Sequence, residues 1–320
     1  MDGSRLRGPH EVPAILPAAF DAVAAGYDAA FTDTLLGRLL RDRVWQVLER
    51  LVTSGQRVLE LGCGTGEDAC WLAQQGAHVV ATDGSREMLA AAQAKARQRR
   101  AGEGIAFRAL PLQALAGNAA AECVGQVDFP EAEAPQHGIA VLRQQAPFDA
   151  ILSNFGVLNA IGEWEALAAA LAPHVRPGGW ALLVVMGPLS PWEIGLGLLH
   201  GSPGRAFRRL RATPSRPAPA TIGEQTIPVW YPSPRRLARS FSPWFHVRET
   251  HSLGLFLPPS ELAPLVERYP RFFGVLNQLE RATARLTGGW GDHYILLFER
   301  TSAGWDERDA SAVKRERRSR

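Results

Sequence analysis

Cysteine is scarce in this 320-residue chain, with only Cys63, Cys70 and Cys123. Their spacing builds neither a disulfide framework nor a metal site, and no metal ion is expected. So few thiols fit a reducing, cytoplasmic interior. No activating base accompanies any of them, so all three are read as structural. Long apolar runs are missing too. A stretch such as residues 181–186 is far short of the roughly 20 residues that cross a bilayer, so no integral membrane segment is expected. Residues 1–17 mix charges with prolines and have no continuous apolar core of the secretory kind. A one-signed charge field is also absent. The net charge is +3, but residues 314–320 (K-R-E-R-R-S-R) hold five basic side chains and one acid. Without that tail the body is close to neutral, at about −1, which is no basis for a nucleic-acid groove. The tail, residues 301–320, is expected to be disordered, either as a solvated terminus or as a strip able to touch an anionic surface.

What the chain does have is V-L-E-L-G-C-G-T-G at residues 58–66. Val58, Leu59 and Leu61 predict a strand buried on both faces. Gly62, Gly64 and Gly66 follow, and then a helix over residues 67–75 that Gly76 ends. Strand, glycine turn and helix together bring backbone N–H groups and a partial positive charge to a place where no Cβ blocks a ligand. A dinucleotide site would put its third glycine where Glu67 stands. Here that glycine comes one residue early, and Glu60 sits inside the strand, where an acid would repel a pyrophosphate but not a cationic amino-acid ligand. A second apolar strand, residues 78–82, ends at Asp83, a carboxylate able to accept both hydroxyls of a ribose.

V-L-E-L-G-C-G-T-G followed by T-D-G-S resembles motifs I and II of the class I S-adenosylmethionine (SAM)-dependent methyltransferases. The resemblance extends to F-D-A-V-A-A-G-Y-D-A-A-F before the first strand, to F-D-A-I-L-S-N-F-G-V-L-N at the fourth, and to H-V-R-P-G-G with the fifth strand after it. It implies an α/β fold: a Rossmann-like, doubly wound seven-stranded sheet, order 3-2-1-4-5-7-6, with N-terminal helices and a helical cap insertion. It implies SAM as cofactor, held by Tyr27, Glu60, Gly62, Cys63, Gly64, Gly66, Asp83, Gly84, Met88, Leu112, Gln113, Asn154 and Phe155. Arg38 and Arg43 are candidates for its carboxylate. Relatives carry an acid after the third strand; this chain has Leu110-Pro111-Leu112-Gln113, so Gln113 or backbone groups would take over adenine recognition. Ser153-Asn154 stands where metal-dependent catechol methyltransferases place acids. The N/D-P-P-Y/F tetrad that grips a flipped DNA base is absent, which weighs against a DNA partner.

The organisation expected is an N-terminal helical cap (1–52), a SAM-binding core (53–187) with an insertion at about 114–147, a helical lid (188–228), and the end of the core (229–300) with a helical insert. The lid joins two short amphipathic helices, rich in arginine at positions 205, 208, 209 and 211, to a proline-rich loop. It would close over the site or, with an apolar face flanked by arginines, lie against a membrane as a peripheral contact. Candidate bases are Glu193, His200 and Tyr231, with His251 and His293 behind them; His293, at a strand start, reads as structural. The reaction expected is methylation of a small apolar or aromatic metabolite. The other readings are a methyltransferase for protein or RNA, an NAD-dependent oxidoreductase, and a non-catalytic SAM-binding protein. The sequence does not speak to oligomeric state.

Overall fold

The computed structural model describes residues 12–116, 142 and 147–302. The expected insertion between 117 and 146 (Leu142 apart), Cys123 and the basic tail from 303 lie outside the described residues. Nine strands are described: β1 Arg57–Leu61, β2 His78–Asp83, β3 Ile105–Ala109, β4 Phe148–Ser153, β5 Val175–Met186, β6 Ala218–Ile222, β7 Gln225–Val229, β8 Phe245–Leu253 and β9 His293–Arg300. Seven of them form one sheet in the order β3-β2-β1-β4-β5-β9-β8. β1 to β5 run parallel, while β9 pairs antiparallel with both β5 and β8. Counting only sheet strands, this is the predicted order 3-2-1-4-5-7-6.

The two-residue period of a strand splits its side chains between two cores. Leu59 and Leu61 of β1 face one layer with Ile151, Leu183 and Phe298. Val58 faces the other with Val79, Ala150, Leu152 and Leu182. Each fully buried aliphatic side chain contributes roughly 1.5–3 kcal/mol. Both faces of the central parallel strands β1 and β4 are therefore covered, as their mostly apolar sequences require.

Polar residues stop and start the helices. Thr34 accepts the Gly37 N–H at 3.0 Å and begins the helix Leu35–Leu48. Ser85 accepts the Met88 N–H at 3.1 Å and begins Arg86–Gln98. Ser233, with Pro234 behind it, begins Pro234–Phe241. The first helix, Val12–Tyr27, runs into a π-helical turn at Asp28–Thr32, close to the expected break at Tyr27-Asp28.

The segment after β5 adds to the two short helices and proline-rich loop expected there. It has three short helices, Pro191–Leu199, Pro203–Ala206 and Arg208–Arg211, and then an antiparallel hairpin of β6 and β7. Gly223 makes this turn possible: its φ of +57° is one that L side chains rarely adopt. The proline-rich loop therefore leads into a β-ribbon, which packs Ile227, Val229 and Tyr231 against Ala19 of the first helix.

Candidate functional site

The strand order reverses between β1 and β4, which is where open α/β sheets bind ligands, outside the carboxyl ends of their strands. A cavity of about 1070 Å³ opens there, as large as the upper end of small-molecule pockets. It reaches from the turns after β1, β2 and β4 to the three short helices, the hairpin and the first helix.

The glycine turn forms its floor, and each glycine does a different job. Gly62, Gly64 and Gly66 all have left-handed φ, at 66°, 52° and 76°. A Cβ on Gly64 would meet nothing within 4 Å, because it would point into open space on the cavity wall. A Cβ on Gly62 would come within 2.5 Å of Val157, and one on Gly66 within 2.7 Å of the Ala92 Cβ. Gly66 does not line the cavity; it lets two helices approach. The Asp83 carboxylate accepts the Gly64 N–H at 2.8 Å and the Ser85 N–H at 2.9 Å. Burial raises its pKa, and those N–H groups oppose the shift.

Of the cofactor residues expected, Tyr27, Gly62, Cys63, Gly64, Asp83, Gly84, Met88, Leu112, Gln113, Asn154 and Phe155 line this one cavity. Glu60 does not. It is 1% exposed, beneath the glycine turn, with one carboxylate oxygen lacking a partner. Burial and the Asp68 carboxylate drive its pKa well above the usual carboxylate range. Cys63 is buried and its thiol is likewise pushed up, which removes it as a nucleophile.

Arg38 and Arg43 do not reach the cavity. Arg38 is exposed and donates to the Asp33 carbonyl, and Arg43 is turned toward Gln46 at 2.6 Å. Arg41, between them on the same helix, is the arginine on the wall. Its Nη1 lies 2.5 Å from Asp68 Oδ2, and its buried Nε has no partner. Asp68 also accepts the Trp45 indole N–H at 2.7 Å and the Asn154 amide at 2.8 Å. Sequence reasoning missed both Arg41 and Asp68. Helical spacing carried part of the signal, because positions 41 and 45, four apart, share the face that meets Asp68.

Phe155 has a φ of +47°, uncommon for a residue with a side chain. Its ring receives Arg41 at 4.9 Å and the edges of Phe31 and His293 at 5.0 and 5.8 Å. Backbone strain of this kind gathers at functional sites.

The structure separates the candidate bases. Glu193 lines the cavity, but its two oxygens are taken by Arg208 and Arg209. His200 is exposed at the edge, with Nδ1 2.7 Å from the Leu196 carbonyl. Tyr231 lines the cavity under Arg209, which stacks on its ring at 4.9 Å; burial raises the phenol and the arginines only oppose this. His251 is buried in β8 beside Glu249, away from the cavity. His293, expected to be structural, is on the wall with Asp292, whose Oδ2 lies 3.0 Å from Nδ1. Burial works to raise Asp292, but His293 and Arg209 outweigh it and hold the carboxyl well below its usual range. Among the described residues, no group of three or more His, Cys, Asp or Glu could hold a metal ion.

A family model described as a methyltransferase domain matches residues 33–269. This chain belongs to the methyltransferase domain family. A curated relative, demethylmenaquinone methyltransferase of Clavibacter sepedonicus, is 31% identical over 170 residues, 52% of this chain and 56% of that protein. The chain thus spans about half the length of that relative. Among solved structures, 1,6-didemethyltoxoflavin-N1-methyltransferase of Burkholderia thailandensis aligns with a TM-score of 0.50 at 18% identity, over 94% of this chain and 93% of that one. A Listeria monocytogenes protein assigned as an S-adenosylmethionine-dependent methyltransferase aligns with a TM-score of 0.50 at 13% identity, over 81% and 96%. At these identities the two structures share the methyltransferase fold. No helix among the described residues is long and apolar enough to cross a membrane.

Proposed function

We propose that this methyltransferase transfers the methyl group of SAM to a small apolar or aromatic metabolite. The observation that carries the reading is the single cavity. It holds the glycine turn and Asp83 together with an apolar lining of Leu16, Phe20, Ile222, Ile227 and Val229.

The residues present fit SAM. Gly64 leaves open space where any other residue would place a Cβ. The Asp83 oxygens, each already accepting one backbone N–H, keep lone pairs for a ribose diol. Arg41, with its unpartnered Nε, suits the cofactor carboxylate. Met88, Leu112 and Phe155 offer apolar surface, and Gln113 an amide for adenine. When bound, SAM supplies a methyl group that is already electrophilic. What remains for the protein is to orient the acceptor and exclude water. The short helices, the hairpin and the first helix do this by covering the cavity.

Where the acceptor must lose a proton, His293 is the residue placed to take it. The Asp292 carboxylate lies 3.0 Å from Nδ1, an ion-pair distance at which Nδ1 makes no hydrogen bond; a proton donated to Asp292 from Nδ1 would leave Nε2 as the acceptor. Asp292 then balances the imidazolium, and Arg209 keeps Asp292 in place through its Nη2, 2.6 Å from Oδ1.

The test is to incubate the protein with methyl-labelled SAM and, separately, a set of phenols and aromatic amines, bulk protein and bulk RNA. Label in the solvent-extractable small-molecule fraction is expected. Label only in the macromolecular pellet would overturn the reading.

A further inference from the structure

The cap end of the cavity holds guanidinium donors that its own carboxylates leave unused. Three arginines line it, Arg205, Arg208 and Arg209; Glu193 and Asp292 bond to two of them, and Glu261, also on the cavity wall, bonds to none. Arg209 is fully engaged: its Nε lies 2.5 Å from Glu193, its Nη2 2.6 Å from Asp292, and its Nη1 donates to the Asp292 carbonyl. Arg208 differs. Only its Nε is used, toward the other Glu193 oxygen. Among the described residues, neither terminal nitrogen of Arg208 has a partner, and the Arg205 guanidinium has none at all.

Glu193 grips Arg208 and Arg209 together through its two oxygens. That fixes the Arg208 side chain, which lines the cavity, and leaves its outer edge, Nη1 and Nη2, without a protein partner among the described residues. A guanidinium edge held this way presents two parallel N–H donors, the geometry that matches a carboxylate. Across from it the hairpin and the first helix supply apolar wall. An acceptor filling this end therefore meets apolar surface and a fork of donors that has no protein partner among the described residues.

We propose that the acceptor is an amphipathic acid: an apolar or aromatic body carrying a carboxylate, which Arg208 and Arg205 bind while the site of methylation faces His293. This rests on the methyltransferase reading and narrows its substrate class. Glu193 is then a positioning residue for Arg208, not a base.

The probes are 2-naphthoate and 4-biphenylcarboxylate with their methyl esters, titrated calorimetrically into the full chain saturated with S-adenosylhomocysteine. Each acid should bind at least tenfold tighter than its ester. Arg208→Gln and, separately, the exposed Arg205→Gln should each cut that preference by tenfold or more. S-adenosylhomocysteine affinity, measured first on every variant, should stay within twofold, which also shows that each has folded. Equal affinity of acid and ester, no binding of either acid, or a preference unchanged in both variants would overturn the proposal. Failure of the wild type to bind S-adenosylhomocysteine would instead remove the methyltransferase reading on which it stands.

Discussion

Single residues in the glycine turn separate binding from folding. Gly64 has left-handed φ and open space ahead of it. Gly64→Val should lower S-adenosylhomocysteine affinity at least about 100-fold by titration, with a far-UV circular dichroism spectrum like the wild type's. Gly66→Val should act the other way round. Both substitutions strain a left-handed backbone, but the Gly66 Cβ also meets Ala92 at 2.7 Å, so overpacking should cost it about 1–3 kcal/mol more than Gly64→Val in urea denaturation. Equal losses of affinity and stability in both variants would refute the division. Glu60 gives a pH signature. Its burial, with Asp68 and Asp83 adding and Arg41 opposing, raises its folded pKa. Such a carboxyl favours folding fully below its unfolded pKa, and that contribution is lost as pH rises through the folded value. Glu60→Gln stays neutral throughout, so its Tm should gain on the wild type from pH 4 to pH 8. A gap that narrows with rising pH would contradict the burial account.

Elements meet at Asp68. It joins the helix Leu35–Leu48 through Arg41 and Trp45 to the loop after β4 through Asn154, while sitting in the first turn of Glu67–Gln74. Asp68→Ala would leave the Arg41 guanidinium buried and unpaired, which costs roughly 3–5 kcal/mol. Urea denaturation should show that loss, and S-adenosylhomocysteine affinity should fall at least about tenfold; a loss under about 1 kcal/mol with affinity intact would dismiss the hub. The elements themselves were largely legible in the sequence, because local signals and tertiary context agree. The unbroken run F-D-A-I-L-S is the strand Phe148–Ser153, and Ser233-Pro234 caps the helix that it predicts. The hairpin β6–β7 was not legible. Pro219 and Pro228 hide the alternation of its strands, and the turn signal is a lone Gly223-Glu224 pair. Of the site, the part carried by contiguous motifs could be read, and Gly64 with Asp83 is an example. Arg41 with Asp68 and Asp292 with His293 could not be ranked. Their roles arise from contacts across 27 residues in one case, and in the other from where β5 and the cap bring Arg209.

At the scale of the whole molecule, the sheet edge and the cap form two walls of one space. The order β3-β2-β1-β4-β5-β9-β8 puts the carboxyl ends of β1, β2 and β4 together. The segment after β5 then returns over them, so that His293 at the start of β9 and Arg209 in the cap meet at Asp292. A line of contacts runs from Asp68 through Arg41, Phe155 and His293 to the cap. The central claim is that this cavity takes SAM at the sheet end. Calorimetric titration of the full chain with S-adenosylhomocysteine, with NADH in a parallel cell, tests it most directly. The account predicts micromolar binding of the first and none of the second. Binding of NADH with no binding of S-adenosylhomocysteine would contradict it.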